Sequence, residues 1–233
     1  MIYVTSDLHG IDPEQFFALL RRANFTDADF LFVLGDVIDR GEHGITLLRW
    51  LAEQPNAQLI LGNHEAMMLS CTFLFDPVTE ENLEQLDVTK MQLMERWMRN
   101  GAATTLAQVR KLLKEEPDVL EGLLDLLRDA PLYEALKVRG KKYVLVHGGL
   151  PDFHPEKPLE DYDPGRLLWE RPTLETRYYE DATVVIGHTP TQFLQPESAG
   201  KALRTDSWIC IDTGAAMGGS PMLLRLDDEA MFY

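Results

Sequence analysis

The chain has 233 residues, of which 45% are hydrophobic and 26% are charged, and its formal net charge is −16. This composition is typical of a folded protein and excludes extensive disorder, while the negative charge disfavours binding that follows nucleic-acid phosphates. It contains no apolar run near the roughly 18 residues that predict a membrane span. We therefore expect a single domain over residues 1–233, with neither nucleic acid nor a membrane as partner.

The two cysteines bear on the cellular compartment. Cys71 and Cys210 lie far apart in apolar segments, so we expect reduced thiols in the core rather than a disulfide bond. Because reduced cysteines are the rule in the cytosol, the sequence predicts a cytoplasmic location.

Three short apolar runs in the first 65 residues predict β-strands, and a polar cluster follows each of them. The runs are residues 3–5, Phe30–Leu34 and 59–61, and the clusters are SDLHG, GDVIDRG and GNHE. Helical patterns at Pro13–Arg22 and 45–53 separate the strands, so we expect an α/β fold with a largely parallel sheet. Such sheets bind ligands at the carboxyl ends of their strands, where all three clusters fall.

Residues 66–129 lack strand signals and predict a helical subregion inserted after the third strand. Met91, Met94 and Trp97 recur there at helical spacing, a pattern that indicates packing more often than a cofactor site. Whether this subregion covers the site is left open by the sequence.

The rest of the chain returns to strand patterns. Residues 133–138 and 142–146 predict a hairpin, and further strands are expected at 183–186, 208–211 and 222–226. The proline-rich residues 151–165 predict a long loop, and long loops beside strand ends often carry function.

Histidines, acids and an amide are concentrated directly after the predicted strands. Four of the six histidines belong to this set, which comprises Asp7, His9, Asp36, Asn63, His64, His147 and His188. Carboxylate, imidazole and amide oxygen ligands suit manganese, iron or zinc, and the lack of a cysteine excludes a structural thiolate zinc site. The set exceeds the needs of one tetrahedral ion, so we expect two divalent ions that share one bridging carboxylate.

The motifs SDLHG, GDVIDRG, GNHE, HGG and GHTP, in this order, resemble the signature of the phosphoprotein phosphatase branch of the metallophosphoesterases. The chain is most similar to the compact bacterial and phage lambda type of serine/threonine protein phosphatase. The matches span Asp7 to Asp212 and include IDTGA at 211–215; Ser6 stands where the family commonly has glycine. The resemblance implies a central β-sandwich flanked by helices.

The resemblance also implies the metal ligands, residue by residue. The first ion would be held by Asp7, His9 and Asp36. The second would be held by Asp36, Asn63, His147 and His188, with Asp36 as the bridge. Gly148 and Gly149 of the HGG motif would keep the backbone close to the metal.

The remaining site residues follow from the same resemblance. His64 resembles the general acid of the family, and Asp39 the carboxylate that orients it. Arg40 matches one phosphate-binding arginine, and LLWERP offers Arg171 as the second, in a looser alignment. Asn63 is also expected to contact the substrate.

The expected activity is metal-dependent hydrolysis of phosphate monoesters, with a phosphorylated protein or peptide as substrate and serine or threonine as the esterified residue. A hydroxide that bridges the two ions would attack phosphorus directly, and manganese is the expected metal, with iron and zinc as alternatives.

Two other functions are weighed against it. A dinucleoside polyphosphate hydrolase of the symmetrical diadenosine tetraphosphatase type has similar motifs and is the alternative substrate class. A catalytically silent module that keeps the fold is disfavoured, because none of the predicted ligands is missing from the sequence.

Overall fold

The computed structural model describes residues 1–77 and 79–233. Val78, which falls inside the segment predicted to be helical, lies outside the described residues. The strands are β1 (Ile2–Thr5), β2 (Phe30–Leu34), β3 (Ala57–Ile60), β4 (Tyr133–Val138), β5 (Lys141–Val146), β6 (Ala182–Ile186), β7 (Leu203–Arg204), β8 (Trp208–Cys210), β9 (Leu223–Arg225) and β10 (Ala230–Phe232). The helices are α1 (Pro13–Arg22), α2 (Gly44–Ala52), α3 (Asn63–Ser70), α4 (Glu80–Glu84), α5 (Val88–Arg99), α6 (Ala103–Glu115), α7 (Pro117–Asp129), α8 (Pro164–Trp169) and α9 (Thr191–Leu194).

The strands form two five-stranded sheets. The first has the order β10-β9-β1-β2-β3, in which β1, β2 and β3 are parallel and the two C-terminal strands are antiparallel. The second has the order β4-β5-β6-β8-β7, in which β5, β6 and β8 are parallel. The first sheet therefore has an antiparallel edge at β10 and a parallel edge at β3, whereas both edges of the second sheet are antiparallel.

Alternating side chains of the strands fill separate layers of the core. In β2, Leu31 and Val33 pack with the helices that cover the first sheet, while Phe32 and Leu34 pack between the sheets. This is the period of two that a strand imposes on its side chains. A third layer on the outer face of the second sheet includes Trp208. The result is a β-sandwich flanked by helices, which confirms the predicted α/β fold class.

Most predicted elements are present, with differences at the sheet edges. The strand predicted at 59–61 begins two residues earlier, at Ala57. Two short antiparallel edge strands, β7 and β10, were not predicted, because two or three residues are too few to show an alternating pattern. The loop predicted at 151–165 ends early: Pro164 begins α8, whose N-terminus is capped by the side chain of Asp163.

The helical subregion begins earlier than predicted and packs differently. Helix α3 starts at Asn63 rather than residue 66, so the GNHE motif forms its first turn. Trp97 of α5 is fully buried as expected, but Met91 and Met94 are 50% and 38% exposed, which corrects their predicted role in packing. Helix α5 buries mainly the face that carries Trp97, so its methionine side chains remain at the surface.

Two smaller expectations can be compared with the structure. Cys71 and Cys210 are both buried and free, as predicted. Across residues 1–77 and 79–233, no helix combines the length and the apolar character needed to cross a membrane.

Candidate metal centre

The carboxyl ends of the parallel strands carry the side chains predicted to bind metal. Asp7, Asp36 and Asn63 follow β1, β2 and β3 of the first sheet, and His147 and His188 follow β5 and β6 of the second. All of these side chains are buried. Parallel strands end at one edge of a sheet, so the face-to-face packing of the two sheets brings both sets to the same edge of the sandwich.

Hydrogen bonds join the two sheets at this edge. The backbone N–H of His188 donates to Asp7 Oδ2 at 3.0 Å. The Nδ1 atom of His147 lies 2.6 Å from the carbonyl oxygen of Leu34, which can only accept. Nδ1 of His147 therefore carries a proton, and in the neutral ring Nε2 keeps a lone pair available to a metal ion.

Asp36 lies between two imidazole rings that are oriented in the same way. The Nδ1 atom of His9 is 3.0 Å from the carbonyl oxygen of Ile38, so its Nε2 is also left free for a ligand. Nε2 of His9 is 3.5 Å from Asp36 Oδ2, and Nε2 of His147 is 3.3 Å from Asp36 Oδ1. The two carboxylate oxygens thus face different histidines, which is the arrangement a bridging carboxylate requires.

The backbone at the site adopts a conformation that residues other than glycine rarely take. Positive φ angles of 44° to 68° occur at six site residues, namely Asp7, His9, Asp36, Asp39, Arg40 and His188. Such conformations cost roughly 1–3 kcal/mol each and persist only where surrounding structure holds them. Ser6, which stands where the family commonly has glycine, does not have a positive φ angle. A serine can therefore occupy this position without backbone strain.

A close approach of two loops holds Asp36 in place. A Cβ on Gly62 would collide with Asp36 and Glu65, so only glycine permits the loop after β3 to touch the loop after β2. The buried Glu65 carboxylate accepts hydrogen bonds from the backbone N–H groups of Asp36 and Val37, both at 2.8 Å. Glu65 was not predicted as a site residue, although it belongs to the GNHE motif.

Two clusters of potential ligand atoms share Asp36. One contains His9, Asp36 and His64, the other contains Asp36, His147 and His188, and the ligand atoms within each lie within 4.8 Å of one another. Asp7, predicted for the first ion, has Oδ1 4.0 Å from His9 Nε2. The structure therefore brings the predicted ligands together, while their individual roles stay predictions.

The second cluster contains acceptor atoms that receive no hydrogen bond. Nε2 of His147 is 2.9 Å from Asn63 Oδ1, and with the His147 proton on Nδ1 both of these atoms are acceptors. Nε2 of His188 is buried and has no hydrogen-bond partner among the described residues. A cation bound to all three atoms would satisfy them, so these residues fit a divalent ion.

The electrostatics of the cluster also favour a cation. Burial raises the pKa of Asp7 well above its usual value, and the nearby carboxylate of Asp212 raises it further. Burial likewise raises the pKa of Asp36, with Asp7 as the next cause. Burial lowers the pKa of His147 to about 3 and that of His188 to about 2, so both rings are neutral at neutral pH. Neutral imidazoles around mutually repelling acids form a site that a cation stabilises.

His64 and Asp39, predicted to act together, are directly bonded. His64 Nδ1 is 2.6 Å from Asp39 Oδ2, and both side chains are fully buried. Arg40 Nη2 lies 3.2 Å from His64 Nε2, and because a guanidinium only donates, Nε2 accepts in this arrangement. The Asp39 carboxylate thus fixes the orientation of the His64 ring, and Nε2 of that ring faces the first cluster.

Two residues of the helical subregion, which were not predicted to take part, also bind Asp39. The indole N–H of Trp97 donates to Asp39 Oδ2 at 2.8 Å, and the hydroxyl of Thr105 donates to Oδ1 at 2.6 Å. The carbonyl of Gly101 accepts from the backbone N–H of Arg40 at 3.0 Å. The sequence identified Trp97 as a core residue but gave no sign of its polar contact.

Arg171 lies beside the second cluster, as the looser alignment predicted. Its Nη1 donates to the hydroxyl of Thr189 at 2.9 Å, and Thr189 follows His188 directly. The role expected of the HGG motif, to keep the backbone close to the metal, stays a prediction. A Cβ on Gly148 would lie 2.8 Å from the carbonyl oxygen of Leu167 and 2.9 Å from that of Glu170. The glycine makes room for the end of α8 next to the site.

Asp212 is a further site residue that was not assigned a role in the sequence. It follows β8, is buried, and has its pKa raised by burial to about 6. A signal for it was present, because Asp212 also comes directly after a strand and lies within the IDTGA motif.

Comparison with known proteins connects this geometry to a family. The family model described as calcineurin-like phosphoesterase matches residues 1–215. In fold, the chain is similar to a crystal structure provisionally assigned as a diadenosine tetraphosphatase, with a TM-score of 0.63 and 18% identity over 99% of this chain and 90% of that one.

Two curated relatives differ in their substrates. The symmetrical bis(5'-nucleosyl)-tetraphosphatase of Nitrosospira multiformis is 27% identical over 99% of this chain and 94% of that protein. Serine/threonine-protein phosphatase 2 of Salmonella typhimurium is 29% identical over 74% of this chain and 69% of its own length. The family match covers most of the chain and includes all the strand-end ligands, so this chain belongs to the calcineurin-like phosphoesterases, a family of metal-binding hydrolases.

Proposed function

We propose that the protein hydrolyses dinucleoside polyphosphates, with diadenosine tetraphosphate as the first substrate to test. The observation that carries the chemistry is the pair of ligand clusters that share Asp36, with Arg40 and Arg171 close by. The similarity to a symmetrical bis(5'-nucleosyl)-tetraphosphatase over nearly the full length of both proteins supports the substrate class. The sequence analysis expected a protein phosphatase and kept a dinucleoside polyphosphate hydrolase as the alternative. We here prefer that alternative.

The ions would be held as the resemblance implies. The first would bind Asp7, His9 and Asp36, and the second would bind Asp36, Asn63, His147 and His188. Divalent ions at these positions would lower the pKa of a water molecule towards neutrality and neutralise negative charge on the phosphate. Nothing in the ligand set separates manganese from iron or zinc. Manganese, the metal expected from the sequence, is therefore still the first metal to test.

The chain's own residues would bind the substrate and move a proton. Among the side chains that the structure describes, Arg40 contacts His64 and Arg171 contacts Thr189, and neither forms an ion pair with a carboxylate, so their guanidinium groups are available to phosphate oxygens. In its imidazolium form, with Nδ1 held by Asp39 and a proton taken up on Nε2, His64 would donate the Nε2 proton to the leaving oxygen. Arg40 would leave Nε2 of His64 when it turns to the phosphate.

A protein serine/threonine phosphatase is the second candidate, and the His64–Asp39 pair is the observation in its favour. An alkoxide is a poor leaving group and needs a proton donor, whereas a nucleotide leaves as a weakly basic phosphate. The relative from Salmonella typhimurium supports this candidate over about three quarters of the chain.

A direct comparison of substrates tests the proposal. The purified protein with manganese is incubated in parallel with diadenosine tetraphosphate and with a phosphoserine peptide, and kcat/KM is measured for each. We expect the nucleotide to be preferred at least about tenfold, with ADP as its product; a preference for the peptide would instead support the protein phosphatase. Asp36→Asn, which removes the shared carboxylate, should abolish turnover of both.

A further inference from the structure

A cavity of about 150 Å³ opens beside the second metal cluster, between helices α3, α5 and α8. Larger cavities of about 430 and 550 Å³ contain none of the predicted site residues. Asn63, a predicted metal ligand, forms part of the wall of the small cavity, so the cavity borders the predicted metal site. Its principal lining residues are Asn63, Met67, Leu93, Arg96, Leu168 and Trp169.

Two planar groups form the outer side of this cavity. The guanidinium carbon of Arg96 lies 4.1 Å from the ring centroid of Trp169. The ring of Trp169 meets the ring of His188 edge-on, with centroids 5.7 Å apart and an interplanar angle of 85°. Trp169 therefore links the cavity to the second cluster, and its stacked partner is a flat cation.

The charge of Arg96 is not used elsewhere in the described part of the chain. Among the side chains that the structure describes, which leave out residues 78, 81 and 83, no carboxylate lies within ion-pairing distance of Arg96, whereas Arg99 on the same helix pairs with Glu95. On a chain with a net charge of −16, an exposed and uncompensated arginine beside a phosphate site indicates a ligand that carries negative charge.

The shape and lining of the cavity indicate the rest of that ligand. Met67 and Leu168 are buried and provide apolar surface, while Trp169 and Arg96 provide flat surfaces. Aromatic rings and arginine guanidinium groups are the side chains on which nucleobases stack. A volume of about 150 Å³ is small compared with the roughly 300–1,000 Å³ of sites for larger ligands, so we expect it to admit one ring system.

We propose that Arg96 and Trp169 form a nucleobase subsite, in which the base of a nucleotide stacks while its phosphates reach the metal cluster past Asn63. This inference rests on the proposed function, since it gives that function a way to select nucleotides over other phosphate compounds. Arg96 and Trp169 are specificity residues here, not catalytic residues.

The test compares two non-hydrolysable ligands that differ only in the nucleoside. Adenosine 5'-(α,β-methylene)diphosphate and methylenediphosphonate are titrated into the full-length, manganese-loaded protein by isothermal calorimetry. The wild type should bind the adenosine compound about tenfold or more tightly than the diphosphonate, as expected for one stacked base. Arg96→Ala should remove most of this ratio and leave the affinity for the diphosphonate within about twofold.

Two variants separate stacking from charge. Arg96→Lys keeps the charge but lacks the planar group, so it should behave like Arg96→Ala. Arg99→Ala, the matched control on the same helix, should preserve the ratio. Trp169→Leu should also reduce the ratio of the two affinities, because it removes the aromatic ring whatever position Arg96 adopts.

Several outcomes would overturn the proposal. Equal binding of both compounds by the wild type, or a ratio that survives in Arg96→Ala, would exclude a base subsite. Full retention of the ratio in Arg96→Lys would show that charge alone is responsible. If Arg96→Ala weakens a thiophosphorylated peptide but not the nucleotide, the cavity serves a peptide instead.

The same measurements distinguish this inference from the proposed function. A wild type that prefers the adenosine compound but does not hydrolyse diadenosine tetraphosphate would refute the proposed function and leave the subsite standing. Hydrolysis of diadenosine tetraphosphate by all the variants, with an unchanged KM, would refute the subsite alone.

Discussion

The Asp36 carboxylate shows how much of this site is organised around single side chains. Its two oxygens face His9 and His147, and its backbone N–H is held by Glu65. The backbone N–H of His64, in the first turn of α3, donates to Asp36 Oδ1 at 3.1 Å. A residue with this many fixed contacts is positioned before any ion binds, which favours a bridging role.

The proton donor can be tested at the scale of one residue. His64→Asn should lower kcat on an alkyl phosphate by roughly 10²–10⁴-fold, because an alkoxide leaving group needs the proton most. An aryl phosphate, whose leaving group is less basic, should lose less than about tenfold. Released phosphate measures both rates, and elemental analysis should show that the metal content is kept.

The control for this variant is His154→Asn, which changes an exposed histidine in the loop before α8. It should leave both rates unchanged. If His64→Asn slows the alkyl and aryl substrates equally, His64 acts in binding or metal retention rather than as the acid.

At the scale of elements, α5 and α6 support the site from the side. Trp97 near the end of α5 and Thr105 in α6 occupy both oxygens of Asp39, and Gly101 between these helices binds the backbone of Arg40. The subregion that the sequence could only describe as helical therefore helps to hold the carboxylate that orients His64.

Removing one of these donors should affect proton donation without unfolding the protein. Trp97→Phe keeps a buried aromatic ring but deletes the N–H that binds Asp39, so kcat on an alkyl phosphate should fall about tenfold, the order expected for one hydrogen bond to a charged group. The rate on an aryl phosphate should change little.

Trp208→Phe is the matched control. Trp208 is also fully buried, and its indole N–H donates to the carbonyl of Thr176 at 3.2 Å, away from Asp39. This variant should lose similar stability but keep the ratio of the two rates. A change in that ratio for both variants would indicate general loosening of the fold.

At the scale of the whole molecule, two sheets contribute acids and histidines to one buried edge. Asp7, Asp36 and Asp212 all have pKa values raised by burial, that of Asp212 to about 6 from an ordinary value of 3.8. A carboxyl with a raised pKa binds its proton more tightly in the folded state. Its contribution to stability is therefore present below about pH 4 and is lost as pH rises through about 6.

Metal should reverse this loss. The metal-free protein should have a lower Tm near pH 7.5 than near pH 5, and saturating manganese should raise the Tm near pH 7.5 by about 5–10 °C. The rise should be smaller near pH 5, where protons compete with the ion for the carboxylates. Thermal unfolding followed by circular dichroism, with and without a chelator, measures both effects.

Two aspartate variants complete this experiment. Asp36→Asn should lose most of the manganese-dependent rise in Tm. Asp29→Asn removes a buried acid that pairs with the N-terminal amine far from the cluster, so it should lower the Tm but keep the rise. A Tm that does not respond to manganese near pH 7.5 in the wild type would contradict a metal site in this cluster.

The sequence alone was sufficient for the fold class, most strands and helices, and the strand-end residues that converge. The short apolar run of β2 and the polar cluster after it are local signals, because both are written in consecutive positions of the sequence. The ligands were predicted together since each follows a strand, and the motif order supported the family.

The groups that hold those ligands in place, and the groups that lie beside them, are seen only in the folded chain. Glu65 under the loop at Asp36, Trp97 on Asp39, and Arg96 against Trp169 join segments separated by tens of residues. Such contacts depend on how helices pack against sheets, and no local pattern records that packing. The chemistry of the site was therefore readable from the sequence, whereas its support and the adjoining cavity arise from long-range packing.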